Sequence, residues 1–375
     1  MGYKILLSGY FGFDNVGDEA ILSAMVKGIR KEMPDSELVA MSANPELTAR
    51  KNGIRAIDRM SIFAILKEMK NMDLFISGGG SLFQDVTSKR SILYYLGVVY
   101  LAKVIFGKKV MIYSQGIGPV NDPKNRRLMA KLFKKLDLIN VRDNQSKLEL
   151  NSMGVRENIR VSTDSVFSLE KPDHVIGAEI LSNYGVDTTK MTLGISVRNW
   201  KDHTEKIVEE VAKTIEALKD KDMNVVILPF HFPDDLELSE KIHERLKTRD
   251  MKAIKIYTIK NLMGEHEFLS VMSNMDIMLS MRLHGLIFAT VCNAYPIGIS
   301  YDPKIQSLLE EMGREKALEV EDIDADILVK QLEYAMTNLE ELKEETADTA
   351  QIMREKALLN NKMVKELLTD ENIRG

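Results

Sequence analysis

Apolar residues recur along this chain with two alternating periods. Lys4–Tyr10 is a short apolar run of strand length, and from Glu19 to Met33 the apolar positions Ile21, Leu22, Met25, Val26 and Ile29 follow the spacing of one helix face. The alternation continues with predicted strands at Glu37–Ser42, Leu74–Ser77, Val110–Tyr113 and Leu138–Val141. Between and after them come helices at Pro45–Asn52, Ile62–Met69, Ser88–Phe106 and Asn125–Leu136. Asn144 is placed to cap a further helix ending at Gly154. Beyond residue 190 the pattern returns, with strands at Thr192–Val197, Val225–Phe230, Lys255–Tyr257, Ile277–Ser280 and Pro296–Ser300. The intervening helices are Lys206–Lys219, Asp235–Leu246, His266–Met275 and Leu286–Val291. Strands separated by helices throughout predict parallel sheets with helices on both faces.

The periodicity lapses near Lys171-Pro172-Asp173, and a length of 375 residues suits two cores better than one. We expect an α/β protein with two Rossmann-like domains, 1–170 and 171–330, followed by C-terminal helices over 331–375. The tail from Ser307 carries 18 acidic and nine basic residues with apolar residues at helical spacing around Leu328–Tyr334, so it should close the second domain or return to the first. No residue-level internal repeat is visible. In open α/β sheets ligands bind beyond the carboxyl ends of the strands, so both domains are expected to face a central cleft with those ends.

Composition removes several classes of function. Hydrophobic residues at 45% and charged residues at 29% exclude disordered and fibrous chains. The single Cys292 excludes a disulfide framework and a cysteine-based zinc site, and fits a reducing compartment. A net charge of −5 carries no nucleic-acid signature. The first apolar run is too short for a signal peptide, and the longest apolar stretch, Ile92–Ala102, falls well short of the ~20 residues that span a bilayer. A cytoplasmic location is expected. Lys103–Lys135, with nine basic residues and the one acid Asp122, is either a solvated helix face or a patch for anionic lipid or pyrophosphate at the inner membrane surface.

Three glycine-rich loops leave predicted strands. The first, Ser8 to Glu19, enters a helix where backbone N–H groups face an anion. Its glycines at 9, 12 and 17 do not form G-x-G-x-x-G, and it has no lysine, so a nicotinamide dehydrogenase and a P-loop are disfavoured. Asp14, Asn15, Gly17 and Asp18 are candidates there, with capping of the helix as the alternative role for Asp18. The second loop holds Gly78, Gly79 and Gly80, whose lack of side chains allows close approach of a ligand or another backbone. The third holds Gln115 and Gly116. Arg142 closes the strand Leu138–Val141 and suits a carboxylate or phosphate, or else a salt bridge to Asp143. In Ser280-Met281-Arg282-Leu283-His284-Gly285, Arg282 and His284 alternate about Leu283, joining an anion binder to a group that titrates near neutrality. Lys304 follows the next strand and suits a phosphate. The other histidines show no ligand spacing, so no metal site is expected.

The segments G-Y-F-G-F-D-N-V-G-D-E-A-I, S-G-G-G-S-L-F-Q-D, Q-G-I-G-P, V-R-D at 141–143 and S-M-R-L-H-G together resemble the polysaccharide pyruvyltransferase family, over about residues 1–305. The resemblance is closest to its CsaB-type branch, which modifies bacterial cell-surface polymers. It implies a GT-B-like architecture and phosphoenolpyruvate as co-substrate, with no other cofactor. The implied product is a pyruvate ketal across O4 and O6 of a β-N-acetylmannosamine residue on a lipid-pyrophosphate-linked saccharide. Arg142, Arg282 and Lys304 match the family's donor-binding positions and His284 and Asp14 its catalytic ones. The alternatives are a GT-B glycosyltransferase using a nucleotide-sugar and a non-catalytic glycan-binding protein.

Overall fold

The computed structural model describes residues 2–86, 89–249, 251 and 253–369. They form two units: Met1–Leu169 with Met353–Gly375, and Glu170–Ile352. Residues 331–375 are therefore divided between the units, and 370–375 lie outside the described residues.

Unit 1 runs β1 (Lys4–Ser8), α1 (Val16–Glu32), β2 (Glu37–Ser42), α2 (Pro45–Asn52), β3 (Arg55–Asp58), α3 (Ile62–Asn71), β4 (Leu74–Gly78), α4 (Lys89–Tyr100), β5 (Lys109–Gln115), α5 (Pro123–Phe133), β6 (Leu138–Val141), α6 (Asn144–Ser152) and β7 (Ile159–Val161). Its seven strands are all parallel, in the order β3-β2-β1-β4-β5-β6-β7. Unit 2 runs α7 (His174–Asn183), β8 (Thr192–Ser196), α8 (Thr204–Ala217), β9 (Asn224–Ile227), α9 (Asp234–Lys247), β10 (Lys255–Thr258), α10 (Glu265–Met272), β11 (Ile277–Ser280), α11 (Leu283–Cys292), β12 (Tyr295–Ser300), α12 (Pro303–Glu311), β13 (Leu318–Glu319), α13 (Ala325–Thr337) and α14 (Leu339–Thr369). Its six strands are also parallel, in the order β10-β9-β8-β11-β12-β13. The central strands β1, β4, β8 and β11 are buried on both faces, which is why they read as unbroken apolar runs rather than alternating ones.

The helix starts depart from the sequence reading. Asn15, not Asp18, caps α1: its Oδ1 accepts the N–H groups of Gly17 (3.1 Å) and Asp18 (3.4 Å), and Asp18 lies inside the first turn. Asp143, not Asn144, caps α6, accepting the Ser146 N–H at 2.7 Å from an extended backbone. Both shifts have one cause, since a cap precedes the first residue whose apolar spacing marks the helix. The expected helix Ser88–Phe106 is α4 followed by a π-helical turn, Leu101–Ile105, closed by the Phe106 N–H on the Leu101 carbonyl at 3.0 Å; Ser88 lies outside the described residues. The strands β3, β7 and β13 escaped prediction because each is short, at a sheet edge and partly exposed.

Helix α14 belongs to both units. Near its start Leu342 joins the core of unit 2 and Lys343 pairs with Asp276 at 2.5 Å. From Met353 onward Met353, Ala357, Val364 and Leu367 are buried in unit 1. There the Tyr113 hydroxyl donates to Asn361 Oδ1 (2.8 Å), Ser162 donates to Asn360 Oδ1, and Asn360 Nδ2 donates to the Thr163 carbonyl (3.2 Å). Asn140 extends this network, donating to Ser162 (2.8 Å) and accepting the Ser114 N–H (2.7 Å) at the bulge in β5. Every polar group in this cluster is buried, so its hydrogen bonds must be met from within the protein. Among the described residues no helix is long and apolar enough to cross a membrane. Asn360→Ala removes the bonds to Ser162 and to the Thr163 carbonyl, although Ser162 keeps Asn140 and the carbonyl keeps Ser114, and is expected to cost about 1–3 kcal/mol in urea unfolding monitored by circular dichroism.

Candidate active site

In each unit the strand order reverses once, between β1 and β4 and between β8 and β11. Loops leaving two such strands diverge to opposite faces of the sheet and leave a crevice at the carboxyl ends. The candidate residues all follow these strands or their neighbours. Asp14, Asn15, Gly17 and Asp18 come after β1, Gly78–Gly80 end and follow β4, Gln115 and Gly116 end and follow β5, and Arg142 follows β6. In unit 2, Arg282 and His284 follow β11 and Lys304 follows β12.

In unit 1 the second and third glycine loops hold each other. The Gly79 N–H reaches the Tyr113 carbonyl, Gly116 N–H that of Gly80, and Gly118 N–H that of Phe83, each at 2.9 Å. At Gly79, with φ +68°, a Cβ would lie 2.1 Å from Ile21 of α1, so only glycine permits both the turn and the packing. A Cβ on Gly116 would lie 2.6 Å from an Arg142 guanidinium nitrogen. That guanidinium is 5% exposed and bridges the loops. Its Nε donates to Asp143 (3.3 Å), Nη1 to Asp164 and the Gly80 carbonyl (both 3.4 Å), and Nη2 to Ser81 (3.1 Å). Gln115 donates to the Gly79 carbonyl at 3.2 Å, while its buried Oε1 has no hydrogen-bond partner among the described residues. Asp14 is exposed with a left-handed backbone, φ +55°. Glu19 accepts the Gly12 N–H at 2.6 Å, and burial raises its carboxyl above the ordinary range. Arg59 escaped the sequence reading. It lies over the rings of Tyr94 (4.5 Å), Phe13 (5.0 Å) and Tyr95 (5.4 Å), and Phe13 stacks on Tyr10 at 4.1 Å.

In unit 2, α11 begins at Leu283, so Arg282 occupies the cap position and His284 the first helical turn. The strand-like alternation expected of these two residues therefore does not apply. Arg282 is held from behind: Nε donates to Asp235 Oδ2 at 2.9 Å and Nη2 to Oδ1. Asp235 is itself buried and also accepts the N–H groups of Phe230 (3.2 Å) and His231 (3.0 Å). This leaves Arg282 Nη1 without a hydrogen bond among the described residues. His284 is half-buried, its ring 6.5 Å from that of Phe288. Lys304 Nζ pairs with Asp302 at 3.1 Å and lies 5.4 Å from the Tyr301 ring centre.

Two neighbours of these groups were missed in the sequence. Arg198, just beyond β8, donates through Nη1 to the Tyr301 hydroxyl at 3.0 Å and lies 4.8 Å over that ring. Trp200 packs against it at a tilt, its ring 4.7 Å from that of Tyr301 and inclined by 50°. Burial pushes the Tyr301 hydroxyl up, yet Lys304, Arg198 and Arg282 together outweigh it and hold the group below its ordinary value. A cation at a strand end was the available signal for Arg198, but no glycine or histidine beside it drew attention. The arrangement suits a compact oxyanion, which fixed guanidinium and ammonium groups bind through charge-assisted hydrogen bonds. Among the described residues no three His, Cys, Asp or Glu side chains are grouped to hold a metal ion.

Several solved structures share this fold. HepE (Alr3699) from Anabaena in complex with UDP-glucose matches with a TM-score of 0.64 at 12% identity, over 98% of this chain and 99% of its own. A glycosyltransferase from Rickettsia africae matches at 0.65 and 14% identity over 99% of both chains. UDP-GlcNAc 2-epimerase from Neisseria meningitidis matches at 0.62 and 13% identity, over 98% of this chain and 100% of its own. At such identities the likeness is one of fold, and it is GT-B-like. No curated protein sequence matches the chain. The family model for polysaccharide pyruvyl transferase matches residues 15–303, from the end of the first glycine loop through the second and third glycine loops to the Arg282–His284 turn, with Asp14 and Lys304 just outside it. The chain belongs to the polysaccharide pyruvyl transferase family.

Proposed function

We propose that this transferase takes phosphoenolpyruvate as donor and forms a 4,6-ketal on a hexosamine, β-N-acetylmannosamine, of a lipid-pyrophosphate-linked cell-surface precursor, as CsaB-type members do. The observation that carries the donor assignment is the gathering of Arg282 and Lys304 around Tyr301 at the carboxyl ends of β11 and β12. Phosphoenolpyruvate is a small molecule with a carboxylate and a phosphate, and two fixed cations match it. Arg282 is oriented by Asp235 and offers Nη1. Lys304 supplies an ammonium held beside Asp302 and the Tyr301 ring. Arg142, which the family resemblance assigns to the donor, is already taken by Asp143 and Asp164, and we assign it to holding the unit 1 loops.

The chemistry needs proton traffic more than metal chemistry. A proton added to C3 of the donor leaves an oxocarbenium-like centre at C2, and one sugar hydroxyl attacks it and gives up its proton. The C2–O bond to phosphate then breaks with the electron pair leaving on phosphate. The second hydroxyl adds to C2, loses its proton and closes the ketal. His284 is the group assigned to these transfers, since imidazole exchanges protons near neutrality. Asp14, exposed beside the helix-capping Asn15, is assigned to orient an acceptor hydroxyl. Gly17, Asp18, Gly78–Gly80, Gln115 and Gly116 form the acceptor side. The enzyme would act in the cytoplasm, with the Lys103–Lys135 stretch against the inner membrane surface.

A second reading, transfer from a nucleotide-sugar, is favoured by the UDP-glucose complex of HepE. A thermal-shift comparison separates the two, because a ligand that binds only the native state raises Tm. Phosphoenolpyruvate is expected to stabilise the protein and UDP-sugars are not; the reverse result would overturn the donor assignment. With a synthetic lipid-linked disaccharide bearing N-acetylmannosamine, phosphate release from phosphoenolpyruvate should persist after chelation of divalent metals. Activity abolished by chelation and restored by one metal would contradict the metal-free scheme. His284→Gln should lower kcat by at least about 100-fold, the lower bound for a lost general acid or base, with donor affinity by calorimetry retained. Weakened donor binding with kcat preserved would instead make His284 a donor ligand.

A further inference from the structure

We infer that Arg198 and Tyr301 form an oxyanion seat at the switch point of unit 2, where they grip the phosphoryl or carboxylate group of the donor alongside Lys304. The inference rests on the reading that unit 2 binds an anionic donor, and it adds residues that neither the motifs nor the family resemblance brought forward.

Position comes first. Strand β8 lies beside β11, and β11 beside β12, so the residues leaving their carboxyl ends share one edge of the sheet. Arg198 stands two residues past β8, and Tyr301 is the first residue past β12. The charge balance points the same way. Arg282 is paired with the buried Asp235 and Lys304 with Asp302, each already oriented by a carboxylate. Arg198 pairs with no carboxylate among the described residues; its one hydrogen bond is to the Tyr301 hydroxyl. A cation held this way has its counter-ion still to come.

The third observation is a set of unused polar groups. Arg198 Nε, Trp200 Nε1 and Ser196 Oγ are all buried and all lack a hydrogen-bond partner among the described residues. All three come from one five-residue segment at the end of β8. Ile195 and Val197 point into the apolar core of unit 2, so strand alternation turns Ser196 to the opposite face. Buried donors without acceptors are rare in folded proteins, and a group of them beside an uncompensated guanidinium fits a site that completes itself with a ligand. An arginine needed only to stack on Tyr301 and Trp200 would not leave this edge unsatisfied. The Tyr301 hydroxyl accepts from Arg198, which frees its own proton to be donated to an oxyanion.

Trp200 is the only tryptophan in the chain and sits against Tyr301, so its fluorescence reports on the seat directly. The test titrates the full-length protein with phosphoenolpyruvate, inorganic phosphate and UDP-N-acetylglucosamine, following Trp200 emission and, in parallel, calorimetry. The wild type is expected to respond saturably to phosphoenolpyruvate and, more weakly, to phosphate. Arg198→Met should weaken phosphoenolpyruvate binding by at least about tenfold, which corresponds to about 1.4 kcal/mol. Arg198→Lys, which keeps charge and stem but loses the fork, should weaken it several-fold and serves if the Met variant fails to fold. Tyr301→Phe should raise the KM for the donor with a smaller effect on kcat.

Wild-type donor affinity in folded Arg198→Met or Arg198→Lys protein would overturn the seat while leaving the phosphoenolpyruvate assignment standing. Arg198-dependent binding of phosphate and the nucleotide-sugar, without phosphoenolpyruvate binding, would overturn the donor assignment and support the seat. A wild type that binds none of the three probes would overturn the seat.

Discussion

A chain that lays down parallel strands must cross the sheet between each pair, and wherever the crossing changes direction two neighbouring loops part. Both units obey this constraint, with strand orders that reverse at β1/β4 and at β8/β11. Every candidate side chain hangs from the carboxyl end of a strand for that reason. The fold therefore determines where chemistry can occur before any residue is chosen, and the likeness to HepE and to an epimerase shows the same scaffold carrying different names.

The two crevices are furnished differently. In unit 1 the loops are glycine-rich and tied to one another, and Arg142 is clasped between Asp143 and Asp164. Buried carboxylates recur as anchors: Asp85 collects the N–H groups of Asn121 (2.8 Å) and Asp122 (2.9 Å), and Asp235 does the same for the loop after β9 while orienting Arg282. A buried charge is tolerable when paired and hydrogen-bonded, and such pairing fixes a guanidinium before substrate arrives. In unit 2 Arg198 stands outside this scheme: it pairs with no carboxylate among the described residues and lies over the rings of Trp200 and Tyr301.

The sequence was most informative where burial is complete. The bounds of β2, β6 and β11 follow directly from their apolar runs. Edge strands such as β3, with two of four residues exposed, carry no such pattern. The glycine loops and the Arg282–His284 segment were legible because strand ends are predictable and unusual residues cluster there. The partners were not. Asp235 lies 47 residues from Arg282 and Tyr301 lies 103 from Arg198, and nothing local announces contacts made across a sheet. The start of α11 was missed for a related reason: Arg282 takes the cap position without a side-chain cap bond, so no Ser, Thr, Asn or Asp marks the spot.

Helix α14 gives the molecule an unusual order of assembly. The sheet of unit 1 precedes unit 2 in the chain, yet Met353, Ala357, Asn360, Asn361, Val364 and Leu367, which are buried in unit 1 and extend its polar network, follow the whole of unit 2. While unit 2 is made, the Tyr113 hydroxyl lacks Asn361 and Ser162 lacks Asn360, although Ser162 has Asn140 within its own unit. The domain begun first is the domain finished last. A nascent chain halted before α14 leaves that face of the sheet without Met353, Ala357, Val364 and Leu367, and the arrival of α14, rather than the end of the sheet's own strands, supplies them.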